Sequence, residues 1–251
     1  ILITTFIGIY DYLKYEYLIA IYLSNIEKKN ITVLLEEQDY EAKNFFLRKG
    51  INNFIYYKNK ANFFQRVKYL IKAYNLINNI SDIKDFVNFK YEGLPTGKMI
   101  YSHTSRFTRT PTFKKIEYRF YNILGNYLHF ASEFKKILKK NSFEYFIQSE
   151  TQFIPPAVCM GYFLKKKIRM ISRMGNNQNI SIRQINNIKH FLETRWKYDI
   201  QLFKKLKKEQ RYKSIKAGKK IIDDRFNDLN KPDKEIDAEG IKLQKIHKIK
   251  F

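Results

Sequence analysis

ILITTFIGIYDYLKYEYLIAIYLSNIEKKNITVLLEEQDYEAKNFFLRKGINNFIYY, residues 1–57, alternates between two periodicities, and that alternation decides the fold class. Ile1 to Ile7 is a short apolar run that reads as a buried strand ended by Gly8. Tyr10 to Glu27 places Leu13, Tyr17, Ala20 and Leu23 at helical spacing. Ile31 to Leu35 is a second β-branched run, followed by the polar stretch Glu36 to Tyr40. Glu41 to Lys49 reads as a short helix with Gly50 just past its end, and Ile51 to Tyr57 as a third strand. Strand, helix, strand, helix, strand at this spacing implies right-handed crossovers and a parallel sheet, hence an α/β protein.

Outward from this block, Asn59 to Asn78 predicts an amphipathic helix with Phe63, Val67, Leu70 and Tyr74 on one side. Residues 91–112, YEGLPTGKMIYSHTSRFTRTPT, hold so many Gly, Pro, Thr and Ser that they read as a loop or a turn-rich strand. Thr112 to Lys140 is the strongest helical pattern, with Ile116, Phe120, Ile123, Tyr127, Ala131, Phe134 and Leu138 in one stripe. Phe143 to Gln148 predicts a strand, and Pro155-Pro156 marks the start of a helix running to about Leu164, because proline is tolerated in a first turn. Lys167 to Ser172 predicts a further strand and Gly175 to Asn179 a polar turn. From Ile182 onward, Ile185, Ile188, Leu192, Trp196, Ile200, Phe203 and Leu206 step at helical intervals, and beyond Asp223 the chain becomes a polar tail.

The chain has 251 residues and a formal net charge of +24, which invites a polyanion: nucleic acid, an anionic membrane surface or an acidic glycan. A biased genome offers a competing account. Of the 48 basic residues 37 are Lys and only 11 Arg, and Lys, Asn, Ile, Phe and Tyr all have A/T-rich codons. Phosphate readers lean on the bidentate arginine fork, so nucleic acid is the less favoured partner. One cysteine, Cys159, excludes an internal disulfide framework and suits a reducing compartment. No apolar run approaches the ~20 residues that span a bilayer. Beginning with Ile, the chain reads as the front part of something larger.

Several chemistries lack their motifs. His103, His129, His190 and His247 lie far apart, so no metal-ligand spacing exists and no metal site is expected. Gly93 and Gly97 follow a helix and match neither the dinucleotide fingerprint nor the P-loop, and no nucleophile elbow is present.

Three weaker constellations remain. The first is the stretch around Ser102, His103, Thr104, Ser105, Arg106 and Arg109: hydroxyls, two guanidinium groups and an imidazole that could hold sugar hydroxyls or a phosphate, with His103 as general base. A solvated loop whose hydroxyls satisfy their own backbone would look the same. The second lies where the strand ending at Gln148 meets the following helix. Ser149, Glu150 and Thr151 crowd that end, and Arg173, Gly175 and Asn176 occupy the corresponding end of the next strand. Clefts of open α/β sheets form at such carboxyl ends. Glu150 and Thr151 could equally be capping the helix. The third is Gln201 to Lys220, nine basic residues against one acidic, which suits anionic lipid or, equally, water.

Two segments carry a resemblance. KYEGLPTGKMIYSHTSR (residues 90–106) resembles the glycine-containing loop with a following Tyr and Arg of bacterial capsular or surface-polysaccharide biosynthesis proteins. SETQFIPPAVCMGYFLKKKIRMISRMGNNQNISIR (149–183) resembles the strand–helix–strand block that comes after it, and KAGKKIIDDRF (216–226) the helix ending their first half. The resemblance implies a glycosyltransferase with two Rossmann-like domains facing across a cleft, of which this chain would be the N-terminal, acceptor-side half of a GT-B-like enzyme. It implies a Rossmann-like domain over residues 1–183, basic amphipathic helices over 184–222, and a polar tail or the start of a second domain over 223–251. It also implies a metal-independent transfer from a nucleotide-sugar substrate, with no bound cofactor, to a glycan or lipid-linked acceptor. The place would be the cytoplasm, peripheral to the inner face of the membrane. With the donor-binding half missing, this stretch would be inactive alone. The catalytic candidates are His103 and Glu150; the substrate-binding candidates are Gly93, Gly97, Ser102, Arg106, Arg109, Thr151, Arg173, Gly175 and Asn176. A basic nucleic-acid-binding protein, and an inactive structural protein with a transferase-like fold, are the alternatives.

Overall fold

The computed structural model describes residues 1–6, 10–110, 112–151, 153–174, 181–188 and 195–227. The chain divides into two compact units, Ile1–Leu192 and Glu193–Phe251.

The opening alternation becomes β1 (Leu2–Thr4), α1 (Tyr10–Glu27), β2 (Thr32–Glu36), α2 (Tyr40–Arg48) and β3 (Phe54–Tyr57). Gly50 closes α2 with φ +78°, and the Ile51 amide reaches back to the Phe46 carbonyl, a turn that glycine enters without a Cβ penalty. The chain continues through α3 (Phe63–Ile77), α4 (Ile83–Asn88), α5 (Thr96–Thr108), α6 (Tyr118–Lys140), β4 (Tyr145–Ile147), α7 (Pro156–Lys165), β5 (Arg169–Met174) and β6 (Ser181–Ile185). Pro156 stands at the first helical position of α7, where its missing N–H costs nothing.

These strands form one six-stranded sheet in the order β3-β2-β1-β4-β5-β6. The first five are parallel, with Leu2 opposite both Thr32 and Phe146 and with Tyr145 opposite Arg169. The order and the parallel pairing are compatible with a Rossmann-like fold. Strand side chains alternate between two cores. Ile1, Ile3, Val33, Leu35, Ile147 and Ile171 face α1 and α2, joined there by Leu13, Ile19, Ala20 and Phe46. Leu2, Leu34, Phe146 and Met170 face the other layer, where Phe120, Leu124, Tyr127, Phe134 and Phe163 fill the space. Near-continuous apolar strands follow from burial on both faces.

Four expectations are corrected. Residues 96–108 are a helix, not a loop. Thr104 and Thr108 bond their hydroxyls to the carbonyls of Ile100 and Thr104 one turn back, so residues that suggest a loop by composition are satisfied inside α5. Gly97 lets this helix touch α4: a Cβ there would stand 1.7 Å from the Phe86 carbonyl oxygen. Second, the helical steps from Ile182 are interrupted. Residues 181–185 are an antiparallel edge strand, Arg173 opposite Ile182, so pairing with β5 overrides the three-residue spacing of Ile182, Ile185 and Ile188 that suggests a helix. Third, the apolar stripe expected on one side of α3 is largely exposed at Phe63, Val67 and Tyr74; Ala73 and Ile77 make the buried face against α6. Fourth, α6 begins at Tyr118 rather than Thr112.

In the second unit, α8 (Arg195–Lys205) and α9 (Lys208–Asn227) replace one continuous helix. The break at Leu206 and Lys207 is held by the Lys207 amide donating to the Gln210 side chain at 3.0 Å. Tyr212, Ile215 and the basic side chains of this stretch are exposed. The predicted polar turn of residues 175–179 and the tail beyond residue 227 lie outside the described residues. Among the described residues no helix is long and apolar enough to cross a membrane.

Candidate functional site at the switch point of the sheet

In a sheet of this order the chain leaves β1 toward β2 on one side, while β4 lies on the other, so the connections diverge at the β1–β4 boundary. Carboxyl ends at such a boundary open onto solvent between diverging loops and are where ligands settle in this architecture. Here those ends carry polar side chains. Thr4 donates its hydroxyl to the Ile147 carbonyl at 3.1 Å and Thr5 to the Leu34 carbonyl at 3.0 Å, stitching β1 to both neighbours. Gln148 is fully buried and donates its amide to the carbonyls of Glu150 (2.7 Å) and Pro156 (2.9 Å), which fixes the connector leaving β4 against the head of α7.

Strand alternation then sends Ser149 and Arg173 to the α1 face, with the parity of Ile147 and Ile171. There they meet the first turns of α1. Glu16 is buried among the apolar residues of that helix and accepts the Ser149 amide at 2.9 Å. Burial pushes the Glu16 carboxyl up to about 8, against the opposing pull of Ser149 and of the Arg173 cation, so it is largely protonated at neutral pH. Arg173 is 8% exposed, its guanidinium 4.4 Å from the centre of the Tyr12 ring and 5.1 Å from that of Tyr15. Its Nε and Nη1, and the hydroxyl of Ser149, have no hydrogen-bond partner among the described residues.

The other predicted residues fall in three places. Glu150 turns its carboxylate onto the Thr151 amide at 2.7 Å. The helix itself begins five residues further on, so neither Glu150 nor Thr151 caps α7, and its N-cap is Pro155 with no side-chain bond. His103 and Arg106 reach the same connector from α5. His103 Nδ1 accepts the Ile154 amide at 3.2 Å, and Arg106 lies over the Phe153 ring at 5.2 Å. That amide bond leaves the His103 proton on Nε2, and burial lowers the pKa of the ring. Phe107 and Phe153 pack around the imidazole, so this flank is aromatic rather than a polar hollow. Ser102 is exposed on α5, and Arg109 ends that helix in the left-handed region with φ 52°.

Gly93 and Gly97 stand apart from the carboxyl ends. Gly93 sits in a tight turn with φ +78°, and its neighbour Glu92 binds Lys135 at 2.7 Å and the Tyr162 hydroxyl at 2.9 Å, on the last turns of α7 rather than the first. Gly97 is spent on the α4–α5 crossing. Gly175 and Asn176 lie outside the described residues. A surface depression of about 390 Å³ beside Lys139, Lys140 and Lys166 is at the opposite, amino-terminal edge of β4 and β5 and has no acidic lining residue. Among the described residues no three metal-ligating side chains converge.

Sequence reasoning missed Glu16, Tyr12 and Tyr15. A signal existed for the first: Glu16 lies three residues after Leu13 and four before Ala20, an acid set into the apolar stripe of α1.

No family model, no curated protein and no solved structure matches this chain.

Proposed function

We propose that this chain is the acceptor-side, Rossmann-like domain of a GT-B-like glycosyltransferase of surface-polysaccharide synthesis, and that substrate is met at the β1–β4 switch point. The observation that carries the reading is the convergence of Ser149, Arg173 and Glu16, from two strand ends and one helix, at the place where open α/β sheets bind ligands. Burying a cation there costs desolvation that the described packing does not offset with an ion pair. In this reading Glu150, on the connector just beyond, would exchange a proton with an acceptor hydroxyl, and His103, whose Nδ1 accepts the Ile154 amide, would steady that connector. Transfer itself would take a nucleotide-sugar held by a second domain, at the cytoplasmic face of the membrane.

Saturation-transfer NMR on this chain, with a panel of sugar nucleotides and of oligosaccharides, tests it. The expected result is saturation of an oligosaccharide that is weakened by Ser149→Ala, and sugar transfer when a donor-binding domain is supplied in the same polypeptide. Absence of saturation across the glycan panel, or a fused two-domain protein with no transfer from any donor, overturns the reading.

A further inference from the structure

Among the described residues the buried cation at the switch point forms no ion pair. Arg173 is more than nine-tenths buried, permanently protonated, and forms no salt bridge among the described residues. Its contacts with the Tyr12 and Tyr15 rings leave Nε and Nη1 without acceptors among the described residues. Glu16, whose carboxyl feels the Arg173 charge, spends Oε1 on the Ser149 amide instead. Ser149 Oγ is a further buried group without a partner in the same cluster. Around Arg173 the described residues therefore hold a buried positive charge and donors without acceptors.

Resting on the switch-point reading above, we propose that Arg173 and Ser149 form a subsite for a phosphoryl group of the ligand. A phosphoryl group brings the missing negative charge and three acceptor oxygens, enough for Nε, Nη1 and the Ser149 hydroxyl together. A carboxylate brings two. A neutral sugar hydroxyl would accept from these donors but leave the charge uncompensated. The ligand of this site is accordingly a phosphorylated one, and an acidic sugar without phosphate is a poorer fit.

The probes are inorganic phosphate and pyrophosphate, titrated into the whole chain by calorimetry at constant ionic strength, so that general attraction to a chain of formal charge +24 is held fixed. Acetate and glucuronate form the comparison arm. Phosphate and pyrophosphate are expected to bind at least tenfold more tightly than acetate. Arg173→Gln should abolish that difference while keeping or raising the melting temperature without anion, because it removes an uncompensated buried charge. Ser149→Ala, whose fold is under no such stress, should weaken phosphate severalfold. Equal binding of phosphate by wild type and both variants overturns the proposal, as does a preference for glucuronate. Sugar transfer that is absent while phosphate binding depends on Arg173 would count against the transferase alone; transfer that survives Arg173→Gln intact would count against the phosphoryl subsite alone.

Discussion

Glu16 accepts the Ser149 amide at 2.9 Å, a bond between positions 133 residues apart that ties the second turn of α1 to the carboxyl end of β4. Through it the first helix of the chain and the fourth strand of the sheet share one polar cluster. The bond also explains why an acid is kept in an apolar interface: without it the Ser149 N–H would face the helix unpaired.

Glu16 makes stability depend on pH in an unusual direction. Its folded pKa, about 8, lies above the ordinary carboxyl value of 4.5, so the folded state holds a proton the unfolded chain has lost. Stability therefore falls as pH rises from about 4.5 through about 8 and levels off beyond, by an order of a few kcal/mol. Urea midpoints from pH 5 to 9 should show this decline, and Glu16→Gln should flatten it. An identical slope in the variant would contradict the assignment.

His103 titrates in the opposite sense. Burial lowers its pKa below 6.5, so the unfolded chain takes up the proton first and stability is lost as pH drops below that value. NMR of the imidazole protons should give a midpoint under 6.5, and His103→Ala should remove that part of the acid-side loss.

Gly97→Ala should cost about 3 kcal/mol, since the added methyl would meet the Phe86 carbonyl oxygen at 1.7 Å and force α4 and α5 apart. Denaturant unfolding measures it. Gly218→Ala, where a Cβ meets nothing within 4 Å, is the control and should be neutral or stabilising.

Phe134 is wholly buried and touches Phe6, Tyr57 and Phe130, at ring separations of 5.9, 5.9 and 6.1 Å. Phe134→Ala should lower stability by about 3–5 kcal/mol through the cavity left between α6 and the sheet. Calorimetric melting would register this as a large drop in midpoint.

Asn62 caps α3 by accepting the Gln65 amide at 2.9 Å while Gln65 returns a bond to the Asn62 amide at 3.2 Å. Asn62→Ala should cost about 1 kcal/mol, visible as a shifted urea midpoint with unchanged slope.

Legibility in the sequence followed how local each feature was. Tyr10–Glu27, the Gly50 turn and the proline start of α7 were readable, because each depends on residues within a turn or two. Residues 96–108 were not, because the Thr hydroxyls that suggest a loop are bonded back into the helix and a Gly that suggests a turn serves a close crossing. Of the candidate site, Arg173 was readable as a strand-end cation, whereas its setting was hidden: Tyr12, Tyr15 and Glu16 come from the far end of the chain.

By itself the sequence determined an α/β chain, since alternation between strand and helix periods over residues 1–57 admits little else. Only the tertiary structure decided that β4 lies beside β1 rather than β3, that β6 runs antiparallel, and that a carboxyl and a guanidinium are buried at one switch point. Periodicity reports which face of an element is apolar. The β1–β4 neighbour and the company the buried charge keeps are set by contacts between residues more than a hundred positions apart, and no local pattern encodes them.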